Sequence, residues 1–280
     1  MNAHNHDAPT PAASSNVPPG EGHDIAKMPG HWVLARLGKR VLRPGGMGLT
    51  HWLIDTLDIG GEDDVVEFAP GMGRTAQLVL DGEPANYTAV ERNEQAAATV
   101  TRWLGPAQAS RRVITGEAQA TGLPEASADV VYGEAMLTMQ GDTRRRQIVA
   151  EAHRLLRPGG RYGIHELALD RVDTNDPDKT QAIRKQITSA IHHQAYPMRV
   201  EDWAAMLEDA GFRVEHRTTL PMALLEPVRL IRDEGLLGAA RFVGRLLTHG
   251  PERRRVLEMR RTFRSLRPHL AAVGLVGVKT

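Results

Sequence analysis

Four glutamates, Glu67, Glu91, Glu117 and Glu134, each stand at or just beyond the end of a short run of apolar residues. Open α/β sheets bind ligands outside the carboxyl ends of their strands, so carboxylates at such ends are placed to take a ligand's donors. The first leads into a turn, Val65-Val66-Glu67-Phe68-Ala69-Pro70-Gly71-Met72-Gly73-Arg74-Thr75-Ala76. Glycine has no Cβ, so the backbone at Gly71 and Gly73 can turn sharply and approach a ligand, and the helix that follows presents unpaired N–H groups. The chemistry this suits is the holding of a nucleotide-like ligand. Glu67 is placed for a cation, and Glu91, ending Tyr87-Thr88-Ala89-Val90-Glu91, for two ribose hydroxyls. The loop Gly116-Glu117-Ala118, after Val113-Ile114-Thr115, is placed for an adenine amino group.

Residues 71–76 read G-x-G-x-x-A and Glu91 follows Gly71 at about the 20-residue distance of the dinucleotide fingerprint, so the turn alone leaves two cofactors open. Glu67 favours S-adenosylmethionine, whose ammonium needs a carboxylate; a nicotinamide dinucleotide has no cation there. A fourth strand, Ala128-Asp129-Val130-Val131-Tyr132-Gly133-Glu134, and a fifth, Arg161-Tyr162-Gly163-Ile164-His165-Glu166 after Leu155-Leu156-Arg157-Pro158-Gly159-Gly160, complete an ordered series. From about Val65 to Glu166 the chain resembles the class I S-adenosylmethionine-dependent methyltransferases. The family's E/D-x-G-x-G-x-G stands here as Glu67-Phe68-Ala69-Pro70-Gly71-Met72-Gly73, with Ala69 in place of the first glycine. The resemblance implies that Glu67, Ala69 and the Gly71 to Gly73 backbone hold the methionine moiety and that Glu91, with Arg92 beside it, holds the ribose. It implies further that Gly116, Glu117 and Ala118 meet the adenine and that Glu134, Ala135 and Met136 lie beside the sulfonium. Arg199-Val200-Glu201-Asp202-Trp203 and Leu207-Glu208-Asp209-Ala210-Gly211-Phe212 extend the similarity to bacterial small-molecule methyltransferases. The implied fold is a Rossmann-like, seven-stranded, mostly parallel sheet with helices on both faces and the last strand antiparallel beside the sixth.

A sulfonium already makes its methyl group electrophilic, so the protein's task is to align an acceptor and take its proton. Candidate bases are His165 and Glu166 at the end of the fifth strand, and His192, His193 and Tyr196 in a segment read as a lid. His165 ranks first for its strand-end position and near-neutral ordinary pKa; the competing reading is a hydrogen-bonded structural histidine. Adjacent residues point about 100° apart on a helix, so His192 and His193 do not both face one pocket. The fourth strand ends Tyr132-Gly133-Glu134-Ala135, without the Asn/Asp-Pro-Pro-Tyr/Phe segment that suits exocyclic amino groups and without the aspartates that chelate magnesium in catechol-type enzymes. Nucleic-acid bases recede as acceptors, and transfer without a metal is expected. The chain has no cysteine, which removes disulfides, thiolate metal sites and a covalent thiolate route.

These residues need a scaffold, and 280 residues with 41% apolar and 25% charged side chains are an ordinary soluble composition. The formal charge of +1 gives no global attraction to nucleic acid or membrane. No apolar run approaches the roughly 18 residues of a membrane span, and the N-terminus lacks a signal pattern, so a cytoplasmic protein is expected. Residues 1–28 read as a disordered tail and 29–280 as one domain, its residues 29–62 forming N-terminal helices. A helix is expected over His31 to Val41, covering the cofactor mouth and stopped by Leu42-Arg43-Pro44-Gly45-Gly46. Strands are expected near 64–69, 86–91, 112–115, 128–132, 161–167, 212–218 and 272–279. Segments 170–198 and 222–270 are expected as helical lid insertions on the acceptor side, forming an apolar acceptor pocket or else extra core or a homodimer interface. Arg253, Arg254, Arg255, Arg260, Arg261, Arg264 and Arg267 read as the solvated face of an amphipathic helix, with RNA phosphates the other reading. The expected function is methyl transfer from S-adenosylmethionine to a small, partly apolar molecule. An NAD(P)-dependent oxidoreductase using Gly71, Gly73, Ala76 and Glu91 and a non-catalytic cofactor-binding regulator stand as alternatives.

Overall fold

The apolar runs become strands in a computed structural model that describes residues 24–39, 43–105, 110–172 and 176–280. The strands are β1 (Asp64–Phe68), β2 (Asn86–Glu91), β3 (Arg111–Thr115), β4 (Ala128–Glu134), β5 (Leu156–Leu169), β6 (Met198–Arg199), β7 (Phe212–Pro221) and β8 (Leu270–Lys279). They lie in the order β3-β2-β1-β4-β5-β8-β7, with β6 beside the end of β5. β1 to β5 pair in parallel, whereas β8 runs antiparallel to both β5 and β7. The seven expected strands are all present, and the last is inserted antiparallel beside the sixth. β6 is the addition: β5 runs two residues beyond its expected end, and Ala168 and Leu169 there pair with Met198 and Arg199. At its start, β5 absorbs the expected Pro158-Gly159-Gly160 turn as a bulge, with Gly159 at φ 79° and the register shifting between Ala128 and Val130.

The helices are α1 (Gly30–Arg36), α2 (Gly46–Leu57), α3 (Arg74–Leu80), α4 (Glu94–Leu104), α5 (Asp142–Leu155), α6 (Pro177–Ile191), α7 (Val200–Asp209), α8 (Pro227–Thr248) and α9 (Gly250–Ser265). β1 and β4 are buried on both faces because helices cover both. On one face Leu53 and Leu57 of α2 and Val79 of α3 pack on Val65, Tyr87, Val130 and Tyr132. On the other, Ile148 and Val149 of α5 and Trp203 of α7 pack on Val66, Phe68, Val131 and Tyr162. The Trp203 indole donates to the Leu167 carbonyl at 3.2 Å, which fixes α7 against β5.

A third apolar cluster holds the two insertions to the N-terminal helix. Val33 and Leu34 of α1, Ile183 and Ile187 of α6, Phe242 of α8 and Met259 and Phe263 of α9 meet there against Leu167 and Leu169 of β5. α1 comes so close that a Cβ on Gly30 would stand 2.6 Å from the Met259 sulfur. The expected helix through Val41 stops instead at Arg36. Gly38 adopts φ 93°, its N–H donates to Ala35 and that of Lys39 to Leu34, the helix stop in which glycine takes the left-handed turn. Residues 40–42 lie outside the described residues, as do 1–23 of the expected tail. Ordered packing begins before residue 29: Met28 is buried in the third cluster and Ile25 packs against it.

Candidate active site

The carboxyl ends of β1, β2 and β4 and the loop after β3 open on a cleft of about 420 Å³. Every residue expected to hold the cofactor lines it except Gly73. Gly73 begins α3 at φ 71°, where a Cβ would stand 2.5 Å from the Trp103 indole, so it serves close packing. Gly71, at φ 56°, would point a Cβ into open space, and its N–H donates to Glu91 Oε2 at 3.1 Å. The other Glu91 oxygen accepts from the Asn93 N–H at 2.9 Å, so the turn itself orients this carboxylate at the cleft wall.

Two non-glycine residues beside the cleft take left-handed backbone. Ala69 after β1 and Ala135 after β4 both have φ 54°. Such a conformation costs an L-residue about 1–2 kcal/mol, and backbone bonds hold it: Ala69 N–H to Val90 at 2.8 Å and Ala135 N–H to His165 at 2.7 Å. Ala69 thus takes the geometry that glycine adopts freely.

Glu67 and Glu134 share the cleft floor in opposite electrostatic settings. Burial pushes the Glu67 carboxyl up to about 7, against the hydrogen bond donated by the Tyr87 hydroxyl. Burial also opposes ionisation of Glu134, but the Arg43 guanidinium at 2.8 Å, followed by His165 and Thr75, outweighs it and holds the carboxyl at about 2. Thr50 donates to the same carboxylate at 2.7 Å, and Thr75 does so as well.

Two expected bases face away from the cleft. His165 is fully buried, with Nδ1 2.7 Å from Glu134 Oε1 and Nε2 against the Pro44 carbonyl, which leaves no ring nitrogen for an acceptor. The expectation put it at the strand's end, but β5 continues to Leu169 and the β4–β5 register pairs His165 with Glu134. Glu166 is likewise buried. It accepts the N–H groups of Met136, Leu137 and Thr138 at 2.7–3.0 Å and the Thr138 hydroxyl at 2.6 Å, so it anchors the loop after β4. In the lid, His192 is exposed at the end of α6 and lies off the cleft. Tyr196 faces a separate groove beside α6, its hydroxyl donating to Gln194 at 2.5 Å. His193 does line the cleft, so one of the adjacent histidines faces it.

Sequence reasoning missed His31 and Arg43. His31, on α1, lines the cleft with its ring centroid 6.1 Å from that of His193, and burial, then the charges of His193 and Arg92, push it down to about 4. It belonged to the helix expected over the cofactor mouth, which was the available signal; Arg43 read only as part of a helix stop. A second, apolar cavity of about 90 Å³ adjoins the cleft, enclosed by Leu34, Ile187, Ile191, Met222, Leu224, Met259 and Phe263. His31, Ala135 and Met139 line both spaces.

Residues 66–164, which carry β1 through most of β5, match the methyltransferase domain family. The chain belongs to the class I S-adenosylmethionine-dependent methyltransferases. This methyltransferase is 32% identical over 216 residues to an uncharacterized protein of Haemophilus influenzae, covering 76% of the chain and 84% of that protein. It is 22% identical over 174 residues to the sterol 24-C-methyltransferase of Aspergillus fumigatus, covering 61% of the chain and 45% of that enzyme. Among solved structures it shares its fold with the cyclopropane synthase MmaA2 of Mycobacterium tuberculosis, with TM-score 0.68 and 15% identity over 92% of this chain and 99% of that one. The MccD protein is similar too, with TM-score 0.64 and 16% identity over 85% and 99%. Family membership sets aside the nicotinamide alternative, and the cofactor is S-adenosylmethionine. The residues present fit it: Glu67 is a buried carboxylate at the cleft wall without a salt bridge among the described residues, and the backbone at Gly71 is open. Bound there, S-adenosylmethionine supplies a methyl group on a cationic sulfur.

Proposed function

We propose that this methyltransferase modifies a small molecule with an apolar portion, by in-line displacement, and that His31 receives the acceptor's proton. The observation that carries the reading is the apolar cavity sharing His31, Ala135 and Met139 with the cofactor cleft. An acceptor with its apolar end among Ile187, Leu224 and Met259 would bring its nucleophilic atom to that junction, and burial there excludes competing water. His31 is the one titratable residue common to both spaces. A pKa lowered to about 4 keeps the imidazole neutral across the physiological range but makes it a weak base, which suits an acceptor whose proton becomes acidic as the methyl group is transferred. In the same reading Glu67 holds the cofactor's ammonium, Glu91 its ribose hydroxyls and Glu117 its adenine, while Arg43 and Glu134 keep the floor rigid. With the methyl group already electrophilic, the transfer needs no metal.

The test is a screen of acceptors graded in apolar length, followed by two variants of the responding reaction. Leu224→Trp, which fills the cavity, is expected to raise the acceptor KM at least about tenfold while S-adenosylhomocysteine binds as before. His31→Phe is expected to lower kcat by about 10²–10⁴, and the wild-type rate to show no inflection near pH 6.5 because His31 stays neutral down to about 4. An acceptor whose kinetics ignore both substitutions would show that it binds elsewhere.

A further inference from the structure

The helix α8 carries an apolar stripe that packs on no part of the core among the described residues. Leu236, Ala240, Val243 and Leu247 recur at steps of four, three and four residues, which places them on one helix face, and Leu237 and Gly244 adjoin it. All six are exposed: Leu237 to 85%, Leu236 to 74%, Leu247 to 66% and Val243 to 44%. Ala239 and Phe242, about 100° round the helix from the stripe, are buried, so the stripe stands on the exposed side of α8.

Charge tells what meets this stripe. Arg241 follows Ala240 of the stripe by one position, about 100° round the helix and beside Leu237, whereas Arg245 stands on the far side and donates to the Arg36 carbonyl at 3.4 Å. Before the kink at Gly235, exposed Val228 and Ile231 stand with exposed Arg232. Arg232 and Arg241 make no ion pair among the described residues. α8 exposes no carboxylate, because Asp233 and Glu234 are buried, and α9 adds six arginines against Glu252, also buried, and Glu258. Arg255 is buried beside Glu258, and Arg260 and Arg264 pair with Glu226, which leaves Arg232 and Arg241 of α8 and the exposed Arg253, Arg254 and Arg261 of α9 as the cations this part of the molecule offers. A second copy fits poorly, because antiparallel pairing of the stripe would set Arg241 against its own mate.

We propose that α8 docks this methyltransferase on an anionic lipid surface, with the leucine stripe at the headgroup boundary and the arginines against lipid phosphates. No described helix is long and apolar enough to cross a membrane, and lying on one makes a different demand: an amphipathic helix with leucines on one side and arginines on the other. α9, which lines the apolar cavity with Met259 and Phe263, follows directly in the same basic lid. The docking rests on the surface alone and stands whatever the acceptor proves to be.

The experiment is flotation of the full chain with vesicles of phosphatidylglycerol and phosphatidylcholine in equal parts, against phosphatidylcholine alone, with light scattering in parallel. The chain is expected to float with the anionic vesicles only and to be released by salt. Each arginine neutralised, in Arg241→Gln and then Arg241→Gln with Arg232→Gln, is expected to weaken binding about fivefold. Leu236→Asp with Leu237→Asp is expected to abolish it while S-adenosylhomocysteine affinity, the measure of folding, is unchanged. Absence of binding to anionic vesicles overturns the proposal, as does binding that the arginine variants leave intact. A wild-type dimer that the aspartate variant splits into monomers would likewise overturn it and assign the stripe to a second copy.

Discussion

At Glu67, burial and ligand recognition pull in opposite directions. Its carboxyl ionises at about 7 in the folded chain against an ordinary 4.5, so between these values the unfolded state has lost a proton that the folded state keeps. Stability must therefore fall as pH rises from 4.5 to 7, and remain lower above, by something on the order of 3 kcal/mol at about 1.4 kcal/mol per pH unit. Glu67→Gln keeps an acceptor for the Tyr87 hydroxyl and removes the charge. In urea titrations without cofactor, the variant is expected to exceed wild type at pH 8 and to match it near pH 4, while its affinity for S-adenosylmethionine drops. An advantage of the same size at both pH values would show that folding leaves the Glu67 pKa unshifted. The carboxylates of this site were legible because each ends an apolar run, whereas the roles of His165 and His31 were not. A strand-end histidine lies at the rim by position alone, but which way its ring points follows from pairing with a neighbouring strand that the local sequence does not specify.

Among the elements, α8 shows best what spacing cannot reveal. Residues 222–270 read as helical and they are, yet the helix breaks at Gly235, with φ 73° and ψ 169°. The break turns Asp233 and Glu234 inward. Asp233 accepts the Met47 N–H at 3.0 Å, both carboxylates stand 3.6 Å from the buried Lys39 ammonium, and Arg229 donates to the Gly45 carbonyl at 2.7 Å. The lid is thus tied to the segment that carries Arg43 and Pro44 into the site. Only glycine takes that backbone conformation cheaply, and a substitute is expected to cost about 1–3 kcal/mol. Gly235→Ala should speed amide hydrogen exchange in α8 and leave α5 protected as before; equal exchange in α8 would mean that the kink holds nothing. The arginine run of α9 was read as a solvated face, and Arg253, Arg254 and Arg261 are exposed, but Arg255 is buried beside Glu258. Of the two readings given for these insertions, the extra core is present in the third cluster, and residues of the same cluster enclose the apolar cavity proposed above for the acceptor.

For the molecule as a whole, Glu134 is the point where distant parts of the chain converge. Arg43, Thr50 of α2, Thr75 of α3 and His165 of β5 all bond the one carboxylate at the end of β4. Because its folded pKa is about 2 against an ordinary 4.5, its stabilising contribution is complete above 4.5 and is lost as pH falls from 4.5 to 2. Removing one partner of a buried ion pair leaves the other charge uncompensated, at about 3–5 kcal/mol. Glu134→Gln is expected to lower unfolding stability by that amount at pH 7 and to flatten the wild-type loss between 4.5 and 2. A variant that kept the full acid dependence would move its origin to another carboxylate.

The sequence by itself determined the seven main strands and the acidic residues of the cofactor cleft, because hydrophobic runs, glycine turns and carboxylates ending such runs are local signals. The register of β4 with β5 and the meeting of α1, α6 and α9 were decided only by tertiary structure. The first links residues 31 apart and the second joins α1 to helices more than a hundred residues away, and both depend on which surfaces find each other. That is why His31 came to stand between the two cavities and His165 was sealed beneath them, although both are equally plain histidines in the sequence.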